Sequence, residues 1–430
     1  MKKVNTSPIS GMQELLPATQ ATFDNLKSKI SEVYHRHGFL SIETPVIDRA
    51  EILFAKAGGD TEKQVYKVVK TAEAADDSDQ ALRFDHTVPL ARYVVEHESN
   101  LAFPFKATQI GRNYRGERAQ KGRFREFYQC DIDIIGRGSL PIAYDADVLG
   151  TLLETYASFE LGTPVIARIN NRKIVSGLIA ELGLDDKKDV VYSAIDHSEK
   201  VTPEETKQYL KDNDISDAKI AKLIAIMNLH GSREFVVKNL RGIKIKNELF
   251  NEGLKELETV MQLLEVQGLG DMIFADMKIV RGLDYYTGTV FEFCLPEYNG
   301  IGSVGGGGRY ENLAGHFTDQ AFPGVGGSIG LTRLFFVLSE YGLVKDSDKK
   351  PLDICIIPVS ENEINYSMAL AARLRGHNTK VDVILTDKKL GDKMTYAAKV
   401  ANKGIVVGES EVASGNLKIK DFSTGEVSNL

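Results

Sequence analysis

The chain has 430 residues, 43% of them apolar and 26% charged, with a net charge of −7. That length exceeds one ordinary core and points to two or three domains, and the composition is that of a globular protein, not a disordered or fibrous one. No window approaches the ~20 apolar residues of a membrane span, no apolar run follows the N-terminal lysines as in a signal peptide, and the acidic balance argues against a general nucleic-acid coat while allowing a local basic track.

The expected location is therefore cytoplasmic, without a membrane partner. Cys130, Cys294 and Cys355 lie far apart in strand-like runs without metal-ligand spacing, so neither a disulfide framework nor a zinc site is expected, and no side chain is assigned to a metal.

In chain order, Thr19 to His37 place Phe23, Leu26, Ile30 and Val33 at helical spacing, and Gly38 stops the helix as a C-terminal glycine. A short strand ending near Pro45 follows. The acidic loop from Thr71 to Gln80 offers Asp76, Asp77 and Asp79, but it lacks the glycine and the downstream glutamate of a calcium loop and reads as solvated. In ALRFDHTVPLARYV, residues 81–94, Asp85 and Thr87 close a strand-like run two positions apart and can point into one cleft, with Pro89 in the first turn of a helix. A carboxylate and a hydroxyl together suit an ammonium group, although an aspartate at such a place also serves as a cap.

The stretch Phe105 to Gly136 carries two β-compatible runs around the polar loop Gly116 to Gly122, the pattern of a hairpin with an extended turn. Side chains alternate along a strand. Arg115 and Glu117 therefore share a face of the first run, Phe127, Gln129, Asp131 and Asp133 a face of the second, and Tyr128, Cys130, Ile132 and Ile134 the opposite, core side. Seven Lys or Arg against the single acid Glu117 give residues 106–125 a charge of +6. Such a face is either solvated or meets an anion.

From Leu161 to Met272 the pattern turns to helices, with a capping box at Thr202 to Glu205 and apolar stripes at Ile220, Leu223, Ile224 and Met227 and at Leu254, Leu257, Met261 and Leu264. No chemistry is legible there, and the block is expected to be an insertion outside the active site. MKIVRGLDYYTGTVFEF, residues 277–293, reads as a strand, a glycine turn carrying Arg281, Asp284, Tyr285 and Tyr286, and a second strand. GSVGGGGRYENL, residues 302–313, is neither a Walker loop nor a dinucleotide fingerprint. Its glycines predict close backbone approach to a ligand or a helix. GVGGSIGLTRLFFVL, residues 324–338, runs from a glycine-rich strand into an apolar helix carrying Arg333, and beyond the polar linker the runs LDICIIP, KVDVIL and GIVVG alternate with helical segments as a small α/β unit.

The hairpin resembles motif 2 of the class II aminoacyl-tRNA synthetases, carried by Arg115, Glu117, Arg123 and Phe127. A guanidinium fork suits phosphate, and an aromatic face suits a base. The helix before Gly38 and the strand near Pro45 resemble motif 1, the dimer-building element of that class, although their periodicity fits an ordinary packing helix equally well. LRFDHT, QCDID and above all RGLDYYTGTVFE, with GVGGSIGLTRL as motif 3, are similar to the histidyl-tRNA synthetases over essentially the whole chain. The implied fold is an α+β catalytic domain with an antiparallel sheet (1–160 and 273–341), a mainly helical insertion (161–272), a linker (342–351) and a C-terminal α/β anticodon-binding domain (352–430).

The same resemblance implies the roles. Asp85 and Thr87 would bind the α-amino group of L-histidine, with Gln129 near its amino and carboxylate groups; Asp133 and Tyr286 would bond the imidazole nitrogens, with Tyr285 beside them. Arg115 would hold the α-phosphate of ATP, Glu117 the adenine amino group and Phe127 the adenine ring, with Arg123, Arg281 and Arg333 around the triphosphate. Arg115 and Arg281 are the expected catalytic residues, although Arg281 could instead pair with Asp284 inside the fold. Arg118, Gln120 and Lys121 would meet the tRNA acceptor end. ATP with Mg2+, the histidine tRNA and a second copy of the chain are the implied partners. A non-catalytic histidine-sensing paralogue, the regulatory subunit of ATP phosphoribosyltransferase, is the alternative, but it typically lacks the anticodon-binding domain. Many bacterial relatives have a glutamate and a glycine at Asp85 and His86 and a glutamate at Asp133, and relatives often run on into a last helix, so a trimmed tail is expected here.

Overall fold

The computed structural model describes residues 3–54, 63–71, 78–280, 285–344 and 350–430. The chain divides into two compact units, Met1–Glu14 with Asn25–Val344 and Leu15–Asp24 with Lys345–Leu430. No described helix is long and apolar enough to cross a membrane.

The larger unit is organised on a nine-stranded sheet. Its order is Leu40–Ser41, Phe105–Tyr114, Glu126–Ile135, Gly324–Ile329, Gly305–Tyr310, Thr289–Cys294, Ile166–Asn171, Ile273–Asp276 and His230–Gly231. The pairings are antiparallel except those of Leu40–Ser41 with Phe105–Tyr114 and Ile166–Asn171 with Ile273–Asp276. The hairpin expected from the alternation occupies the second and third places. Cys130, Ile132 and Ile134 on its apolar face are fully buried, as are Val148, Leu149, Leu152 and Leu153 of helix Ala143–Ala157, which packs across this part of the sheet. Each such side chain contributes about 1.5–3 kcal/mol by leaving water. The helix can lie this close because Gly327 is bare: a Cβ there would come within 2.6 Å of Leu152 Cδ1.

Three local expectations are corrected. The first hairpin strand ends at Tyr114, so Arg115 and Glu117 are not strand residues. The Arg115 N–H still pairs with the Arg125 carbonyl at 2.9 Å, but the Gly116 N–H turns to the Gln64 carbonyl at 2.6 Å and draws the chain out of the sheet. The stretch expected to be helical from 161 opens with Ile166–Asn171, an interior strand whose short alternating pattern was masked by the helices after it. Finally, the strand expected at Met277 lies earlier, at Ile273–Asp276. The carbonyls of Met277 and Ile279 instead accept the buried Asn170 amide, at 3.3 and 3.0 Å.

Six helices follow between Arg172 and Val266, and Thr202 and Glu205 form the capping box that the sequence suggests. Leu254, Leu257, Met261 and Leu264 are all buried; in the other stripe Ile226 takes the buried place expected of Ile224. The second unit contains a five-stranded sheet in the order Val381–Val383, Leu352–Pro358, Ala401–Val407, Lys418–Asp421 and Val427–Asn429, parallel over the first three strands and antiparallel thereafter. Helices Ile364–Arg375 and Leu390–Val400 supply the crossovers that parallel neighbours require. This is the α/β domain expected after the linker.

Candidate active site

A cavity of about 700 Å3 opens on the polar face of the hairpin, bounded by the glycine-rich strands and the start of helix Thr87–Glu96. It brings together Asp85, Thr87, Gln129, Asp133, Tyr285 and Tyr286 with Arg115, Glu117, Arg123, Phe127 and Arg333, residues drawn from separated stretches of sequence. Strand alternation aims Phe127, Gln129, Asp131 and Asp133 into it together.

One cluster is built on Asp133. The carboxylate is almost wholly buried and accepts the Tyr310 hydroxyl at 2.9 Å. Burial, then the neighbouring Asp131 charge, push its pKa up to about 8, against the pull of the tyrosine bond. Tyr285 packs edge-on against Tyr286 and Tyr310, with ring centres 4.9 and 5.9 Å apart. Burial also raises the pKa of all three phenols, which therefore act as neutral hydrogen-bonding groups. Space for the carboxylate depends on Gly326, where a Cβ would lie 1.9 Å from Asp133 Oδ1. Asp85 is both cap and cavity residue: its Oδ1 accepts the Val88 N–H at 3.1 Å, and burial raises its pKa against that bond and the Arg115 charge.

A second cluster is built on Arg115. Its guanidinium lies between aromatic rings, 4.3 Å from the centre of Phe84 and 5.0 Å from that of Phe127, and Nε donates to the Phe84 carbonyl at 3.4 Å. Burial lowers its pKa, yet an arginine keeps its charge at any working pH. Glu117 pairs with Arg123 at 3.4 Å, and its carbonyl accepts Arg125 Nε at 3.0 Å, which anchors the loop. Arg333 enters from helix Leu331–Glu340. Three guanidinium groups beside a half-buried aromatic ring are the chemistry that suits an aromatic polyphosphate. The arginines and the buried polar side chains that line the cavity suit positioning and charge stabilisation.

Arg118, Gln120 and Lys121 do not line the cavity. They belong to the hairpin loop, where Gln120 bridges to Arg123 and Lys121 Nζ reaches Glu340 Oε1 at 2.5 Å. Arg281 and Asp284, and Asp76 and Asp77 of the acidic loop, lie outside the described residues. Tyr310 and Ser328 line the cavity without having been singled out; both lie on glycine-rich strands whose alternation, once the pairing is known, points them inward. Asp196, from helix Lys188–His197, lines it too, so the helical block is not wholly outside the site as expected.

Comparison with known proteins agrees with this geometry. Residues 11–334 match the family model described as histidyl-tRNA synthetase, and residues 353–430 that described as anticodon binding domain. The histidine--tRNA ligase of Clostridium tetani is 43% identical over 100% of this chain and 97% of its own length, and that of Clostridium acetobutylicum is 40% identical over 100% and 98%. The crystal structure of histidyl-tRNA synthetase from Nostoc sp. PCC 7120 superposes with a TM-score of 0.88 at 33% identity, covering 100% of this chain and 97% of that one. With catalytic-unit and anticodon-domain matches in sequence order and relatives aligned end to end, the chain belongs to the histidyl-tRNA synthetase family.

Proposed function

We propose that this chain joins L-histidine to its tRNA in two steps. The histidine carboxylate oxygen bonds to the α-phosphorus of ATP as the bond to pyrophosphate breaks; the terminal ribose hydroxyl of the tRNA then takes the histidyl group and AMP leaves. The observation that carries the reading is one cavity holding both a buried carboxylate–phenol cluster, read as the amino-acid receptor, and an arginine–aromatic cluster, read as the nucleotide receptor.

In this reading Asp85 and Thr87 receive the α-amino group and Gln129 lies beside the amino and carboxylate groups. Asp133 and Tyr286 grip the two imidazole nitrogens, flanked by Tyr285. Arg115 holds the α-phosphate with Arg281, Glu117 and Phe127 hold the adenine, and Arg123 and Arg333 neutralise the outer phosphates. ATP enters as its magnesium complex, with the metal brought by the nucleotide. Arg118, Gln120 and Lys121 meet the acceptor end of the tRNA, the C-terminal unit its anticodon, and the working form is a cytoplasmic homodimer.

Histidine-dependent exchange of pyrophosphate into ATP, followed by charging of the histidine tRNA, tests the proposal. A chain that binds histidine but catalyses no exchange would instead be a histidine sensor.

A further inference from the structure

His86 stands between Asp85 and Thr87 yet has no part in the roles above. It is fully buried, and its Nδ1 lies 3.0 Å from Asp131 Oδ2, while Nε2 meets no hydrogen-bond partner among the described residues. Asp131 Oδ1 accepts the Ser328 hydroxyl, Ser328 Oγ accepts Gln129 Nε2 at 2.9 Å, and Gln129 Oε1 accepts Asn113 Nδ2 at 2.8 Å. The polarity of this row is set from its carboxylate end. The serine gives its single proton to Asp131 Oδ1 and must therefore receive from Gln129. The Gln129 nitrogen then faces Ser328 and its oxygen faces Asn113. The torsion that turns a glutamine amide is broad and two-fold, and without that row nothing distinguishes the two orientations.

We propose that His86, Asp131 and Ser328 form a positioning relay that fixes the Gln129 amide and ties the Asp85–Thr87 turn to strand Glu126–Ile135, so that His86 sets the affinity for the amino acid without touching it. Asp131 and Ser328 are direct cross-strand partners, which makes the central link rigid. The Nδ1–H of His86 satisfies the remaining carboxylate oxygen and carries the link to the turn. The proposal rests on the reading of Gln129 as an amino-acid contact.

The test uses the full chain with His86→Leu, His86→Asn, Ser328→Ala and Gln129→Ala, and pairs of the first and third with the last. KM for histidine and for ATP is read from pyrophosphate exchange, and Kd for histidine from calorimetry. His86→Leu and Ser328→Ala are each expected to raise KM and Kd for histidine by about tenfold while KM for ATP stays within about twofold. His86→Asn, whose amide nitrogen can take the place of Nδ1, returns the values to within about threefold of the parent. With Gln129 already replaced by alanine, Ser328→Ala adds no further loss and His86→Leu adds less than it does in the parent, only the part carried by the Asp85–Thr87 turn. Unchanged histidine affinity in both single variants, parallel rises for histidine and ATP, or undiminished effects in the Gln129→Ala background would overturn the relay. Should His86→Leu fail to fold, His86→Phe, which keeps a ring and removes the Nδ1–H, takes its place with the same expectations. A parent that binds histidine without exchange defeats the catalytic reading but leaves the relay to be judged by Kd; a parent that does not bind histidine defeats both.

Discussion

Asp133 carries its environment into two measurable quantities. Its folded pKa of about 8 lies above the ordinary carboxylate value of 3.8, so between those values the unfolded chain is ionised while the folded one keeps its proton. The native state then binds more protons, and stability falls as pH rises through that window, on the order of 1 kcal/mol per pH unit, and levels off above the folded value. Asp133→Asn, which cannot ionise, should lose this slope; urea midpoints of parent and variant at about pH 5 and about pH 8 check it, and parallel profiles would refute it. Asp133→Ala should also weaken histidine activation by at least about 2 kcal/mol with little change in KM for ATP, since a buried ring nitrogen would lose its partner. Arg281→Ala, if Arg281 acts at the α-phosphate, should lose about 10²-fold in adenylate formation while still binding histidine, measured as the exchange rate against the histidine Kd. Asp133 and its face-mates were legible because a strand has period two. Tyr310 and Ser328 were not, since they reach the site only through pairing with residues nearly two hundred positions away, and no local pattern encodes that register.

At the scale of elements, the hairpin and the glycine strands divide the work. Gly326→Ala should remove histidine activation, because its Cβ would meet Asp133 Oδ1 at 1.9 Å and the Ile132 carbonyl at 2.9 Å; overpacking of this kind costs about 1–3 kcal/mol. Melting temperature and exchange rate together report it, and a variant with parental exchange would show that the carboxylate can move aside. In the loop, Lys121 and Glu340 form an exposed pair that adds little to stability, so the loop's positive charge remains available to a polyanion. Replacing Gln120 by alanine should impair tRNA charging and spare pyrophosphate exchange; equal losses in the two assays would take the loop out of tRNA contact. Helices Pro17–Arg36 and Glu248–Val266 were legible from their apolar stripes and Pro203–Asp212 from its cap, whereas Ala143–Ala157, buried on nearly every side, shows no single stripe and was not. The two-residue strands Leu40–Ser41 and His230–Gly231 were not, because too few residues alternate for any period to show.

Over the whole molecule, a net charge of −7 coexists with a hairpin segment of +6, so the surface proposed to meet tRNA is a minority of one sign within a majority of the other. Phosphate contacts release counterions, and charging should therefore fall steeply between low and moderate salt while exchange with free histidine changes little. The order of domains was legible from composition and motifs, whereas the sheet order, in which the strand at 324–329 lies beside the hairpin, depends on long-range closure. That placement makes the sheet one peptide thick where Gly326 and Gly327 adjoin, with Asp133 on one side and Leu152 on the other. Anyone refilling the core at Leu152 for heat tolerance would be pressing on Asp133 and the proposed substrate pocket through a wall with no upholstery. Durability and selectivity share that partition, and directed evolution for one must screen for the other.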